Sequence, residues 1–144
     1  MRQKLTLITL GVSDLARAVD FYEVGLGWKR SSASQDDLAL FQLGDMLLGL
    51  YSRQRLGEDA CVPHEGSGFS GITLTYNARD EHEVNHVVRQ VESLGATVVK
   101  QPQKAFWGGY NAYFRDLDGH LFEVAYNPFW ILDESGSVVP SEPA

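Results

Sequence analysis

The run His82-Glu83-Val84-Asn85-His86 fits H-E-x-x-H, the pattern by which zinc proteases set two imidazoles one helical turn apart with a carboxylate between them. That chemistry needs the rings turned into a walled cleft, a third ligand, and partners that fix each ring. The other candidate groups are scattered: His64 beside Glu65, the thiol of Cys61, His120, and the carboxylate of Glu123. Which of them can act depends on the elements that carry them.

Helical periodicity answers for the first group. Val84, Val87, Val88, Val91 and Leu94 form one apolar stripe, the spacing of a face packed on a sheet. At roughly 100° per residue, His82 and His86 project about 160° to 200° from Val84, so both rings are expected in water. Glu83 lies to the side of both and reads as a solvated charge. Cys61 reads as a bystander thiol, because no motif places a His to activate it.

Glu123 is different. The segment "NAYFRDLDGHLFEVAY" predicts a hairpin, with alternation over 111–115, a turn at Asp116-Leu117-Asp118-Gly119, and alternation over 121–126. Gly119 supplies the positive φ of the turn, and Asp116 can accept backbone N–H groups inside it. On the outgoing strand Phe122, Val124 and Tyr126 share one face, leaving Leu121, Glu123 and Ala125 on the other. A carboxylate there, among apolar neighbours, is costly without a hydrogen bond, a cation or a ligand. His120, three residues earlier, falls on the opposite face.

The whole chain bounds what these residues can serve. Its 144 residues, 44% hydrophobic, suffice for one real core. With 19 Asp and Glu against 12 Lys and Arg, the net charge is -7, and no basic cluster exists. Nucleic acid and anionic membrane are therefore excluded as partners. The opening "MRQKLTLITLGVSD" is broken by threonines and lacks a small-residue cleavage site, so it reads as a strand. No stretch approaches a membrane span. The lone Cys61 permits no internal disulfide and fits a cytoplasmic setting.

The two halves repeat one plan. Ile8-Thr9-Leu10 recurs as Ile72-Thr73-Leu74, and both copies read as strands. Each leads into an amphipathic helix, a Leu-Gly pair (Leu26-Gly27, Leu94-Gly95), and then short strands. The first helix is expected from a Ser13 cap to about Val24, burying Leu15, Ala18, Val19 and Tyr22. This divides the chain into module one, 4–52, a Gly-rich linker, 53–70, module two, 71–128, and a C-terminal tail, 129–144, whose last residues fray.

The residues Val12, Asp14, Leu15, Phe21, Tyr22, Leu26 and Gly27, with the D-x-D-G-x-x-x-E hairpin ending at Glu123, resemble the vicinal oxygen chelate superfamily of glyoxalase I, extradiol dioxygenases, and fosfomycin- and bleomycin-resistance proteins. The resemblance spans about Leu5 to Pro128. It implies an α+β fold of two βαβββ modules whose mixed sheets curl around a shared cavity, paired within one chain or across a homodimer.

Metal-dependent members place one ligand on the first strand, one late in module one, one at the start of module two, and a Glu on the last strand. Glu123 matches the last. The other positions fall at Leu7, at Leu48 or Gly49, and at Gly71 with Ile72 beside it, none with a ligand side chain. The expectation is therefore a metal-independent small-molecule-binding protein of the bleomycin-resistance type. Its ligand, neutral or cationic, would lie in an aromatic cavity of Trp107, Tyr110, Tyr113, Phe114 and Trp130, with Glu123 as polar anchor. The alternative is a metal-dependent glyoxalase-like lyase, isomerase or dioxygenase, with Glu123 as divalent-metal ligand or catalytic base. Trp107 beside Gly108 and Gly109 reads as the lip of a pocket, where glycines let backbone or ligand come close.

Overall fold

The computed structural model describes residues 1–139; the frayed end expected at residues 140–144 lies outside them. The chain divides into two compact units, with the boundary between Ser70 and Gly71.

In the first unit, β1 (Leu7–Val12) leads into α1 (Leu15–Val19), followed by β2 (Leu38–Leu43), β3 (Met46–Ser52) and α2 (Arg53–Ala60). The sheet has the order β1-β3-β2, with β1 parallel to β3 and β2 antiparallel to it. The cap of α1 is Asp14 rather than Ser13. Its carboxylate accepts the Arg17 N–H at 3.1 Å, while the Ser13 hydroxyl accepts from the Arg17 guanidinium instead. The helix does not stay α to Val24, because Asp20–Gly25 is a π-helix whose end is marked by Leu26 N–H donating to Phe21 C=O at 2.9 Å. The wider turn buries the neighbours Phe21 and Tyr22 together.

Two further expectations change here. The linker opens with a helix, α2, capped by the Ser52 hydroxyl and ended by Cys61 in the left-handed region at φ 57°. And of the three strands expected after the first helix, one shrinks to isolated bridges, Arg30 with Phe41 and Gln35 with Leu38. The intervening "SSASQDD" has no apolar alternation to sustain a strand and forms turns.

The second unit contains β4 (Leu74–Asn77), α3 (Glu81–Ser93), β5 (Thr97–Lys104), β6 (Tyr110–Arg115) and β7 (Leu121–Tyr126), in the sheet order β4-β7-β6-β5. Again the first strand runs parallel to the last, and the rest are antiparallel. Strand β4 starts at Leu74, so Ile72 and Thr73 precede it. The α+β reading with two sheet-bearing modules therefore holds, at three strands and four.

Helix α3 packs on β5, β6 and β7 through its valine stripe. Val84, Val88 and Val91 are buried, and beneath them lie Ala112, Phe114 and Val124. His82 and His86 are exposed, as the stripe requires. Val84→Ala should therefore lower unfolding free energy by about 1–3 kcal/mol, the cost of a cavity under the helix, whereas His82→Ala and His86→Ala should each stay within about 0.5 kcal/mol. Urea denaturation of the three variants measures the contrast.

Candidate functional site

With α3 on one face of the second sheet, strand alternation sends a different set of side chains to the other. Registers align Thr75 of β4, Glu123 of β7, Tyr113 of β6 and Lys100 of β5 across four neighbouring strands. The Glu123 carboxylate sits in the middle of this row. Its Oε1 accepts the Thr75 hydroxyl at 2.9 Å, and its Oε2 accepts the Asn111 amide at 2.8 Å and the Tyr113 hydroxyl at 3.2 Å. Lys100 reaches Asn111 Oδ1 at 2.8 Å, its ammonium 5.8 Å from the centre of the Tyr113 ring.

The chemistry of these partners fixes the network. An ammonium only donates and a carboxylate only accepts, so the buried Asn111 amide between them must turn its oxygen to Lys100 and its nitrogen to Glu123. Burial, and then the Glu123 charge and hydrogen bond, raise the Tyr113 hydroxyl above the usual phenol range. It is held neutral as a donor. With about four lone-pair directions on a carboxylate and three taken, Glu123 keeps one for an incoming donor or cation.

The expected aromatic set is divided by the sheet. Tyr113 shares the face of Glu123. Tyr110 and Phe114 alternate to the opposite, helix-covered face, which is where the expectation of a common cavity fails. Tyr110 donates to Asn85 of α3 at 2.7 Å, and Phe114 is buried in a near-parallel stack on Phe122, centroids 5.1 Å apart. Trp107 folds its own ring over Gly109, where an added Cβ would sit 1.9 Å from it. Gly108, at φ 98°, leaves comparable room for the Phe129 ring. The glycines thus make space for aromatic rings of the chain itself. Trp130 is half-exposed and lines a separate cavity of about 180 Å³ with Asn77, Arg79 and Asn127, at the carboxyl ends of β4 and β7.

The H-E-x-x-H segment resolves into surface contacts. Glu83 is not merely solvated, since Tyr76 donates to it at 2.5 Å; partial burial first, and then this bond and charge, push the Tyr76 phenol up to about 12. The backbone of His64 is tied to Arg53, whose Nε donates to the His64 C=O at 2.5 Å. Among the described residues no three His, Cys, Asp or Glu side chains gather as a metal-binding group. The three neutral donors on Glu123 suit a carboxylate held for hydrogen bonding.

A family model described as the Glyoxalase/Bleomycin resistance protein/Dioxygenase superfamily matches residues 4–124. The chain belongs to that superfamily. Glutathione transferase FosA of Serratia marcescens is 30% identical over 125 residues, covering 86% of this chain and 81% of that protein. The crystal structure of a glyoxalase-related enzyme from Fulvimarina pelagi is 30% identical, with a TM-score of 0.84 over 97% of this chain and 99% of that one. Lactoylglutathione lyase from Agrobacterium tumefaciens shares the fold, with a TM-score of 0.67 at 24% identity over 92% of this chain and 100% of that one.

Within this superfamily member, three groups around Glu123 escape sequence reading. Thr75 and Lys100 sit opposite only through register, and two irregularities in the β5–β6 pairing displace Lys100 from any simple count. Asn111 carries a signal, since it alternates with Tyr113 on the face opposite Ala112 and Phe114.

Removing the carboxylate should strand the buried Asn111 amide. Glu123→Ala is expected to cost about 1–3 kcal/mol in chemical denaturation, and Glu123→Gln less, because the new amide oxygen still accepts and the Thr75 hydroxyl can turn to accept in its place. Glu123→Gln should also lower the Tyr113 pKa while leaving it above an ordinary phenol, since burial persists. A phenol raised in the fold contributes stability below the unfolded value of about 10 and loses it as pH rises through the folded one. Ultraviolet titration of tyrosinate in both forms reads the shift.

Proposed function

We propose that the chain is a small-molecule-binding member of its superfamily, receiving its ligand on the face of the second sheet opposite α3, with Glu123 as the polar anchor. The observation that carries this reading is the carboxylate held by Thr75, Asn111 and Tyr113 with an acceptor direction left over. A ligand presenting a hydrogen-bond donor or a cationic group meets that direction. Tyr113 offers a ring beside it. Trp107 belongs to the same surface, because continuing the alternation of β6 back by one residue puts Gly109, and the indole above it, on the side of Asn111. Trp130 would serve only a ligand extending past the end of β7.

Binding without a resident metal is supported by Leu7, Leu48 or Gly49, and Gly71 or Ile72 at the positions where catalytic relatives place ligands. The same reading takes the chain as a cytoplasmic homodimer, on its lone Cys61 and on the habit of the superfamily; among the described residues, no helix is long and apolar enough to cross a membrane. A second reading is favoured by the 30% identity to proteins called a glutathione transferase and a glyoxalase-related enzyme. It is a glyoxalase-like lyase, isomerase or dioxygenase in which Glu123 acts on the substrate directly.

Elemental analysis of protein purified without a His tag separates the two. The binding reading expects no stoichiometric metal, and thermal stabilisation by cationic or aromatic compounds that disappears in Glu123→Ala. Stoichiometric nickel, zinc, manganese or iron, lost in Glu123→Ala, would overturn it. So would stabilisation by glyoxalase-type thiol adducts alone.

A further inference from the structure

In the first unit the missing strand leaves a groove. Where the second unit pairs β5 along β6 from Thr97 to Lys104, the corresponding segment of the first unit meets β2 only through isolated bridges, Arg30 with Phe41 and Gln35 with Leu38, and through turn bonds from Ser31 and Ser34 to Leu40. The outgoing end of β2, Gln42 and Leu43, diverges from Trp28, Lys29 and Arg30, and a cavity of about 410 Å³ opens between them. That volume lies within the range of small-ligand sites.

Its lining is specific. The floor includes the half-buried Trp28, held against Tyr22 and Phe41 at centroid distances of 5.3 and 6.0 Å. The rim carries two adjacent cations in a chain whose net charge is -7. They differ in kind. Arg30 is positioned by Glu23, whose Oε2 accepts both its Nε at 3.1 Å and its Nη2 at 2.5 Å, so the pair is near neutral and the guanidinium keeps Nη1 donors in a fixed place. Lys29 is exposed and, among the described residues, has no hydrogen-bond or ion-pair partner, so it supplies the net charge.

An added peptide strand is a poor occupant, because the outer edge of β2 is already used. Leu40 C=O accepts from Ser31 at 2.7 Å, Leu40 N–H donates to the Ser34 hydroxyl at 2.9 Å, and Leu38 exchanges both its backbone bonds with Gln35. What remains is an aromatic wall with a positive rim. We infer that this groove binds a small aromatic anion of the arylcarboxylate class, its ring on Trp28 and its carboxylate between Lys29 and the Arg30 guanidinium. The groove belongs to the first unit and differs from the Glu123 face in charge preference.

Titration of isotope-labelled full-length protein with 1-naphthoate, followed by NMR, tests it. The expected result is saturable movement of the Trp28 indole N–H and of the Lys29, Arg30 and Gln42 amides, with Kd of about millimolar for a ligand of this size. Lys29→Glu should weaken binding about tenfold, an attraction turned into repulsion at a solvent-facing site. The matching cation, 1-naphthylmethylamine, should leave these resonances in place. The assignment is overturned by naphthoate that moves none of them at about 10 mM, by a Lys29→Glu variant that binds as the parent does, by an amine that binds as well as the acid, or by shifts centred on Asn111 and Tyr113 instead.

Discussion

One helix covers one face of the second sheet, and that constraint sorts the side chains of its strands. Because Val84, Val88 and Val91 of α3 need an apolar floor, β6 and β7 must present Ala112, Phe114, Phe122 and Val124 beneath them. Strand geometry then has no freedom over the alternate positions: Asn111, Tyr113 and Glu123 go to the other side together. A shift of one residue between β6 and β7 would bring Glu123 under the helix and lose both the valine packing and the carboxylate's donors. The hydrophobic face therefore sets the register, and the register builds the polar site.

The hairpin turn defends the same register from its other end. Asp116 is buried and its Oδ1 accepts the N–H groups of Asp118 at 3.0 Å and His120 at 2.8 Å, while Gly119 takes φ 85°. These bonds fix the loop length, and with it which β7 residue faces Tyr113. The D-x-D-G-x-x-x-E pattern is thus a mechanical link, in which the turn places the carboxylate, four residues after Gly119, opposite a chosen partner.

This explains what could be read from the sequence. Local chemistry was legible: the hairpin from its alternation and Gly119, the outward His82 and His86 from the valine stripe, Glu123 from a charge in the middle of a strand. Features set by competition between neighbours were not. Ser13 and Asp14 are both good caps, and only the position of Arg17 decides between them. The π-helical turn leaves no signature in the Leu-Gly pair that follows it. α2 lies in a stretch rich in Gly and charge, where capping by Ser52 and the closeness of Gly57 to His64 sustain a helix with little apolar periodicity. Tyr110 and Phe114 were grouped with Glu123 by composition, and strand parity separates them.

The two units also show how far a repeated plan can drift while its frame persists. Both keep the first strand parallel to the last, which needs a helical crossover and so preserves the helix between them. The strand following the Leu-Gly pair is under no such demand, because it lies at the sheet edge and only one neighbour depends on it. In the second unit it survives as β5, whose Lys100 completes the polar row. In the first it has dissolved into Ser- and Asp-rich turns, and the edge it abandoned is capped by Ser31, Ser34 and Gln35 rather than left open to another chain. Loss of an edge strand costs little when its hydrogen bonds pass to turn residues, and it exposes an aromatic flank that a full sheet would bury. Divergence between the halves is therefore concentrated where the topology tolerates it, at an outer strand, while the central β6–β7 pair that holds Glu123, Asn111 and Tyr113 is constrained on both sides.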